Sequence, residues 1–312
     1  MDDEFDIVVV GCGIAGLNAG LAAARLGRKT LVLAGGMLGG QLLSINKIDG
    51  FPGFPDGIPG YDLCPIAQEQ AVAAGAEFAA TELTSLTPHD GRWRLATGAG
   101  QDYVARGVVL ATGAELKELG VPGEARLRGK GVSHCASCDA PLLRNRVVGV
   151  VGGGDSAAQE ALTLAEATSH VFLIHHGDAL SAQGAYRDIV SQHAKIEIRF
   201  NTIVEEIIGE AGVTGVRTRD RVTGTAGNLD LAGLFIYIGM QPNTGFLDGQ
   251  VALDSAGRIE TDRSMRTGRR GLCAAGAVRS GWLGRAVISA GEGAAAALAI
   301  DRYLADDRWP DR

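Results

Sequence analysis

The chain has 312 residues, 46% of them hydrophobic, and a net charge of −7 at pH 7. That length suits two α/β domains, each with its own core. The acidic balance, with no Lys/Arg block, excludes nucleic acid as a partner, and no apolar run reaches the ~18 residues of a membrane span. The start, Met1-Asp2-Asp3-Glu4, is acidic and runs straight into a strand, so no signal peptide is read there. Five cysteines, two of them closely spaced, make no secreted disulfide framework, and the expected compartment is the reducing cytoplasm.

Phe5–Val10 is a short apolar run, read as a buried parallel strand. Gly11-Cys12-Gly13-Ile14-Ala15-Gly16 follows, then an Ala-rich helix to about Leu26 and a second strand over Lys29–Leu33. This is a βαβ unit with GxGxxG at its first turn. The glycines allow a tight turn, approach of a pyrophosphate to the backbone, and close packing of helix on strand. The helix N-terminus then faces the phosphates. Leu33-Ala34-Gly35 stands where an acidic residue is expected about 20 residues on. A glycine-rich loop, Gly35–Gln41, and the irregular Phe51-Pro52-Gly53-Phe54-Pro55 precede a helix over Leu63–Ala74. Val108–Leu110 is a buried strand stopping at Ala111-Thr112-Gly113, and a linker runs from about Glu115 to Lys130.

Cys135-Ala136-Ser137-Cys138-Asp139 comes next; a CxxC pair carries two electrons as a dithiol or a disulfide. No second CxxC and no paired His/Cys accompanies it, so no metal site is read. Val147–Val151 reads as a strand entering a second glycine turn, Gly152-Gly153-Gly154-Asp155-Ser156-Ala157, and this βαβ unit runs to Ile174. Strands recur near Glu197, Val213 and Leu234, and Tyr237–Asn243 reads as a return linker. Gly271–Gly276 is a strand ending in a turn, followed by a helix over about Ser289–Tyr303. The two glycine turns lie too far apart for one domain. The expected fold is α/β: two Rossmann-like three-layer domains, the second inserted into the first. The boundaries are 1–116 with 245–312 for the first domain and 117–244 for the second.

Gly11–Gly16, Gly39-Gly40-Gln41-Leu42, Ala111-Thr112-Gly113, Cys135–Asp139, Gly152–Ala157, Gly239–Asn243, Ala275-Gly276 and Ser289-Ala290-Gly291, in this order, resemble the low-molecular-weight thioredoxin reductases. The resemblance spans nearly the whole chain. It implies an FAD domain in two segments, an inserted pyridine-nucleotide domain, a homodimer, and a rotation between domains. Cys135 and Cys138 resemble the family's redox pair, and Asp139 its proton donor, which would act on the leaving thiolate. His134 reads as a passive neighbour. Gly11, Gly13, Ala15 and Gly16 would cradle the FAD pyrophosphate. Gly40 and Gln41 would reach the flavin, and Thr112 and Gly113 would close its site. Gly276, Ala277, Arg285 and Ala286 complete the implied FAD set. Gly152, Gly154, Asp155, Ser156 and Ala157 would hold a pyridine nucleotide.

Three departures from that family stand out. Gly276-Ala277 replaces Gly-Asp, whose acid bonds the ribityl chain, and Gly284-Arg285-Ala286 replaces Arg-Gln-Ala. A lost charged hydrogen bond costs ~1.5–3 kcal/mol, so FAD is expected to bind, more weakly or differently. His175-His176-Gly177-Asp178-Ala179-Leu180-Ser181-Ala182-Gln183 replaces a stretch with arginines that clamp the NADPH phosphate. Losing two such contacts costs ~3 kcal/mol, about a hundredfold, which makes NADPH a poor donor and leaves NADH or ferredoxin. The expected function is electron transfer through FAD and Cys135/Cys138 to a disulfide substrate, thioredoxin or a similar dithiol protein or small disulfide. The alternatives are a dithiol oxidase and a low-turnover flavin-binding redox sensor. Trp309, beyond the last helix, reads equally as an aromatic cover on the flavin or as a frayed end. Cys12, Cys64 and Cys273 read as buried small hydrophobes, and Trp93 and Trp282 as packing residues.

Overall fold

The computed structural model describes residues 3–36 and 38–309. They form two compact units, Met1–Glu115 with Gln241–Arg312, and Leu116–Met240.

The first unit is built on a parallel sheet whose strands run Glu77–Ala79, Thr30–Leu33, Asp3–Val10, Tyr103–Leu110 in spatial order. The far edge of Tyr103–Leu110 is shared. Its first half pairs antiparallel with Arg92–Thr97, and its second half pairs parallel with Leu272–Ala274. Ile7, Val8 and Val9 are wholly buried because both faces of this sheet are covered, which is why the run is continuously apolar. Helices Ile14–Arg25 and Ala286–Asp306 cover one face, packing Leu17 and Ile300 on Ile7 and Val9. On the other face, Leu86, Trp93 and Leu95 pack on Val8 and Val10.

Those three residues come from a hairpin, Leu83–His89 and Arg92–Thr97, that the sequence reading passed over. Its signal is Asp90-Gly91, both at positive φ (47° and 72°), the dipeptide that suits a tight hairpin turn. The last helix begins at Ala286, earlier than its Ala/Gly pattern suggested. It approaches Ile14–Arg25 closely through glycine: a Cβ on Gly293 would lie 2.0 Å from the Ala15 carbonyl oxygen. Cys12, Cys64 and Cys273 are buried free thiols, and Trp93 is 4% exposed.

The second unit has a five-stranded parallel sheet in the order Ile196–Arg199, His170–Ile174, Val147–Gly152, Gly233–Tyr237, Val132–Ser133. Helices Asp155–Ala167 and Gly184–Gln192 cover one face through Ala157, Ala161, Leu164 and Val190. A three-stranded antiparallel sheet, Thr202–Gly209, Val213–Asp220 and Ala226–Asp230, covers the other through Val204, Ile207 and Val216. The stretch read as a linker is folded in part. Glu124 is 2% exposed, and its carboxylate accepts the Leu119 and Gly120 amides at 3.0 and 2.7 Å.

Candidate functional site

In the first unit the glycine turn forms where strand Asp3–Val10 meets helix Ile14–Arg25. Gly11 has φ +102°, and a Cβ there would lie 2.3 Å from the Ala111 carbonyl oxygen. A Cβ on Gly16 would lie 1.8 Å from the Gly11 carbonyl oxygen, so the turn closes only around two glycines. Gly13 differs: a Cβ there would meet nothing within 4 Å. Its open face is the one a ligand could approach. No side chain caps the helix that starts beside it, and its first turn has no acidic residue, so its leading amides and positive dipole end are available to an anion.

The other sequence-predicted residues of this unit gather around that turn. The Gly39 amide donates to the Cys12 carbonyl at 3.0 Å, and a Cβ on Gly40 would lie 3.4 Å from the Gly13 Cα. Gln41 follows on the short helix Gly40–Ser44 and is exposed. Thr112 Oγ1 donates to the Asn243 carbonyl at 2.8 Å, and the Asn243 amide donates to the Gly113 carbonyl at 3.1 Å. Gly276 has φ +78°, and a Cβ on it would lie 2.9 Å from the Ala15 Cβ. Arg258 donates to the Ala277 carbonyl at 2.5 Å. Arg285 is the exposed N-cap of the last helix, and Ala286 is its first residue.

Sequence reasoning missed two residues here. Glu292, 7% exposed, accepts the Gly276 amide at 2.8 Å with one carboxylate oxygen and a hydrogen bond from Arg279 with the other. Neither lies in a motif, and only the fold brings them together. Trp309 packs edge-on against Tyr303 at the opposite end of the last helix, 5.3 Å between ring centroids. Within this chain it therefore covers the C-terminal end of that helix, away from the glycine turn.

In the second unit Cys135 and Cys138 form a disulfide, with Cα atoms 5.3 Å apart. Cys135 caps the single helical turn Ala136–Asp139, and its sulfur accepts the Cys138 amide at 3.3 Å and lies 3.5 Å from Ser137 Oγ. Cys138 is exposed and Cys135 partly so. The Asp139 amide donates to the Cys135 carbonyl at 3.2 Å, which puts Asp139 on the same turn. His134 Nδ1 lies 3.0 Å from the Ile236 carbonyl oxygen, which anchors the strand leading into the turn.

The second glycine turn is tight at Gly152, where a Cβ would lie 2.3 Å from the Tyr237 carbonyl oxygen and 2.8 Å from the Ala157 Cβ. Gly154 is more open, with Ser181 Oγ at 3.8 Å as the nearest neighbour of a Cβ. Ser156 follows Asp155 in the first turn of the helix. The loop after strand His170–Ile174 folds back onto this turn. Ser181 Oγ donates to the Gly153 carbonyl at 3.2 Å, and Gln183 donates to both Asp155 oxygens at 2.7 and 2.6 Å. His175 packs on Gly153, and burial, then His176, lowers its titration from the usual histidine range. Among the described residues no cluster of His, Cys, Asp and Glu is arranged to hold a metal ion.

Two parallel-sheet units, each with a glycine turn at a helix start, and a disulfide beside the second turn define a redox enzyme of the dinucleotide-binding, disulfide-handling class. The comparisons agree. The model of the pyridine nucleotide-disulphide oxidoreductases matches residues 5–293, and the chain belongs to that family. It is 40% identical over 304 residues to the thioredoxin reductase of Treponema pallidum, covering 97% of this chain and 98% of the relative. Among solved structures it is similar to Lactococcus lactis thioredoxin reductase in its FR conformation, with a TM-score of 0.93 and 32% identity over 97% of this chain and 99% of that one. T. acidophilum thioredoxin reductase follows at 0.92 and 33%, covering 98% and 100%. The protein is accordingly an FAD-dependent disulfide oxidoreductase of thioredoxin-reductase type. The open face at Gly13 and the uncapped helix beside it fit the pyrophosphate of such a cofactor.

Proposed function

We propose that this chain carries electrons from FAD, held by the first unit, through Cys135 and Cys138 to the disulfide of thioredoxin or a similar small dithiol protein. The observation that supports this most directly is the Cys135–Cys138 disulfide on its turn beside the second glycine turn. Bound FAD supplies the two-electron carrier; Gly11, Gly13, Ala15 and Gly16 hold its pyrophosphate. Gly40, Gln41, Thr112, Gly113, Gly276, Ala277, Arg285 and Ala286 line the rest. Once the disulfide is opened, the Cys135 sulfur keeps its hydrogen bond from the Cys138 amide and the nearby Ser137 hydroxyl. Both favour a thiolate there. Cys138, the exposed sulfur, passes its proton to Asp139 as it attacks and breaks the partner's disulfide, and the Cys135 thiolate resolves the mixed disulfide that forms. Asp139 protonates the departing thiolate.

Gly152, Gly154, Asp155, Ser156 and Ala157 receive the nicotinamide donor. We infer NADH rather than NADPH. His176, Gly177 and Ser181 offer no planar cation to a 2′-phosphate, and the Ser181 hydroxyl is turned onto Gly153. A pair that must be reopened each cycle suits a reducing compartment, and we place the protein in the cytoplasm as a homodimer.

Anaerobic reduction of the oxidised holoprotein with NADH, NADPH or reduced ferredoxin tests this, with flavin absorbance as the readout. NADH should bleach the flavin, and Cys138→Ser should keep that bleaching while losing disulfide reduction. Bleaching by low micromolar NADPH overturns the donor assignment, and bleaching by ferredoxin alone replaces it. Bleaching by none of them points to a dithiol oxidase or a redox sensor. Protein that lacks a flavin spectrum and takes up no FAD defeats the proposal.

A further inference from the structure

Hydrogen bonds pin the chain where it enters the dithiol turn. His134 Nδ1 lies 3.0 Å from the Ile236 carbonyl oxygen, the Cys135 amide donates to Ser133 Oγ at 3.0 Å, and the Ala136 amide donates to the Tyr237 hydroxyl at 3.3 Å. The last of these stands apart. Ala136 is wholly buried, so its amide has no water to turn to, and a buried donor left unmet is costly. Its acceptor comes from a fixed element. Tyr237 closes the strand Gly233–Tyr237, pairs in register with Gly152, and holds its carbonyl oxygen 2.3 Å from where a Gly152 Cβ would stand. Tyr237 is 9% exposed and packs in one core with Ala136, Ala140, Ala157 and Ala161. A phenylalanine would fill the same space with no hydroxyl to desolvate, so the amide it accepts is what accounts for the oxygen.

The movable part is the turn. Ala136–Asp139 is a single helical turn, Cys138 on it is exposed, and the S–S bond ties it back to Cys135. While that bond is closed, the Ala136 amide stays beneath the turn against Tyr237. Opening it frees the two side chains from each other. The Cys135 thiolate keeps the Cys138 amide, and the Ala136 amide, adjacent to that sulfur, gains access to it and to water. A charged sulfur or water can then replace the phenol oxygen as acceptor.

We propose that Tyr237 is a positioning residue of the dithiol: its hydroxyl satisfies the Ala136 amide while the Cys135–Cys138 bond is closed, which favours the disulfide and makes the reduced pair a stronger reductant. The proposal rests on reading the pair as a cycling couple. Opening the bond takes two electrons from the reduced flavin of the enzyme's own reaction and one proton, which goes to Cys138, and leaves Cys135 a thiolate. Closing it on a partner disulfide returns both electrons to the partner, one of whose sulfurs leaves with that proton and the other as a thiolate. Tyr237 exchanges neither electrons nor protons. Without its oxygen, the disulfide form keeps a buried amide with no acceptor, whereas the dithiol form has other acceptors within reach.

The test is the equilibrium of Cys135/Cys138 with dithiothreitol in the holoprotein at neutral pH, trapped with maleimide, for wild type and Tyr237→Phe, with flavin absorbance read alongside. Tyr237→Phe should favour the dithiol about tenfold more than wild type, which is about 30 mV for a two-electron couple. A loss of packing common to both redox forms lowers both urea midpoints alike and leaves the equilibrium constant unchanged. That result, or a shift toward the disulfide, overturns the proposal. Hydrogen exchange tests it without a variant: the wild-type Ala136 amide should exchange at least tenfold more slowly in the disulfide form than in the dithiol form, and equal protection in both overturns the proposal. A wild-type pair that never opens and closes as the flavin is reduced and reoxidised overturns the function reading itself. A pair that cycles while both measurements fail overturns the role of Tyr237 alone.

Discussion

Glu292→Ala probes the buried ion pair beneath the last helix of the first unit. The side chains of Glu292 and Arg279 keep only 8% and 14% of their exposure. Glu292 holds the Gly276 amide at 2.8 Å and pairs with Arg279, which also donates to Thr261 Oγ1 at 3.1 Å and the Ser280 carbonyl at 2.9 Å. Alanine would strand a guanidinium without its counter-charge and an amide without its acceptor. The first loss costs ~3–5 kcal/mol and the second ~1–3. Arg279 keeps two neutral acceptors and a little solvent, so a total near 4 kcal/mol, at the low end of both, is expected. At about 2–4 °C per kcal/mol for a unit of this size, the melting temperature of the first unit should fall by roughly 8–16 °C. Calorimetry of wild type, Glu292→Ala and the double variant Arg279→Leu/Glu292→Leu, at matched FAD saturation, measures this. Removing both charges should recover at least half of the loss, because an uncompensated charge is the larger part of it. A fall below about 3 °C, or a double variant as unstable as the single, refutes the reasoning.

Gly293→Ala should unfold or severely destabilise the first unit, because its Cβ would lie 2.0 Å from the Ala15 carbonyl oxygen and 3.1 Å from the Ala19 nitrogen, both backbone. Gly291→Ala, two residues earlier in the same helix and with nothing within 4 Å, should be neutral or stabilise by up to ~1 kcal/mol; denaturant midpoints distinguish the two. His175 is held neutral by burial and by His176, so its folded-state titration lies below the unfolded value near 6.5. The stability it contributes is complete above about pH 6.5 and is lost as pH falls from there toward the folded value. Urea midpoints of the second unit should therefore drop as the pH falls below about 6.5, and His175→Gln should flatten that slope. Installing cations by His176→Arg with Ser181→Arg should raise NADPH affinity about a hundredfold and leave NADH within about threefold, read by titration calorimetry.

The local machinery of this protein follows from short stretches of its chain. Both glycine turns, both βαβ units and the CxxC turn are short-range features. A buried parallel strand must be apolar throughout, and a turn that closes on its own backbone accepts only glycine at Gly11 and Gly16. Cys135 and Cys138, three residues apart, close their disulfide within one turn of chain. The tertiary structure decided what depends on distant partners. Glu292 and Arg279 meet beneath Gly276, and the Tyr237 hydroxyl meets the Ala136 amide, through packing of elements far apart in the chain. A carboxylate or phenol has no periodic signature, and burial, which gives each its altered chemistry, is a property of the assembled core rather than of neighbouring residues. The hairpin around Asp90-Gly91 lies between the two cases. Its turn was visible in two letters, but only the cover that Trp93 and Leu95 provide over Val8 and Val10 explains why the chain needs it.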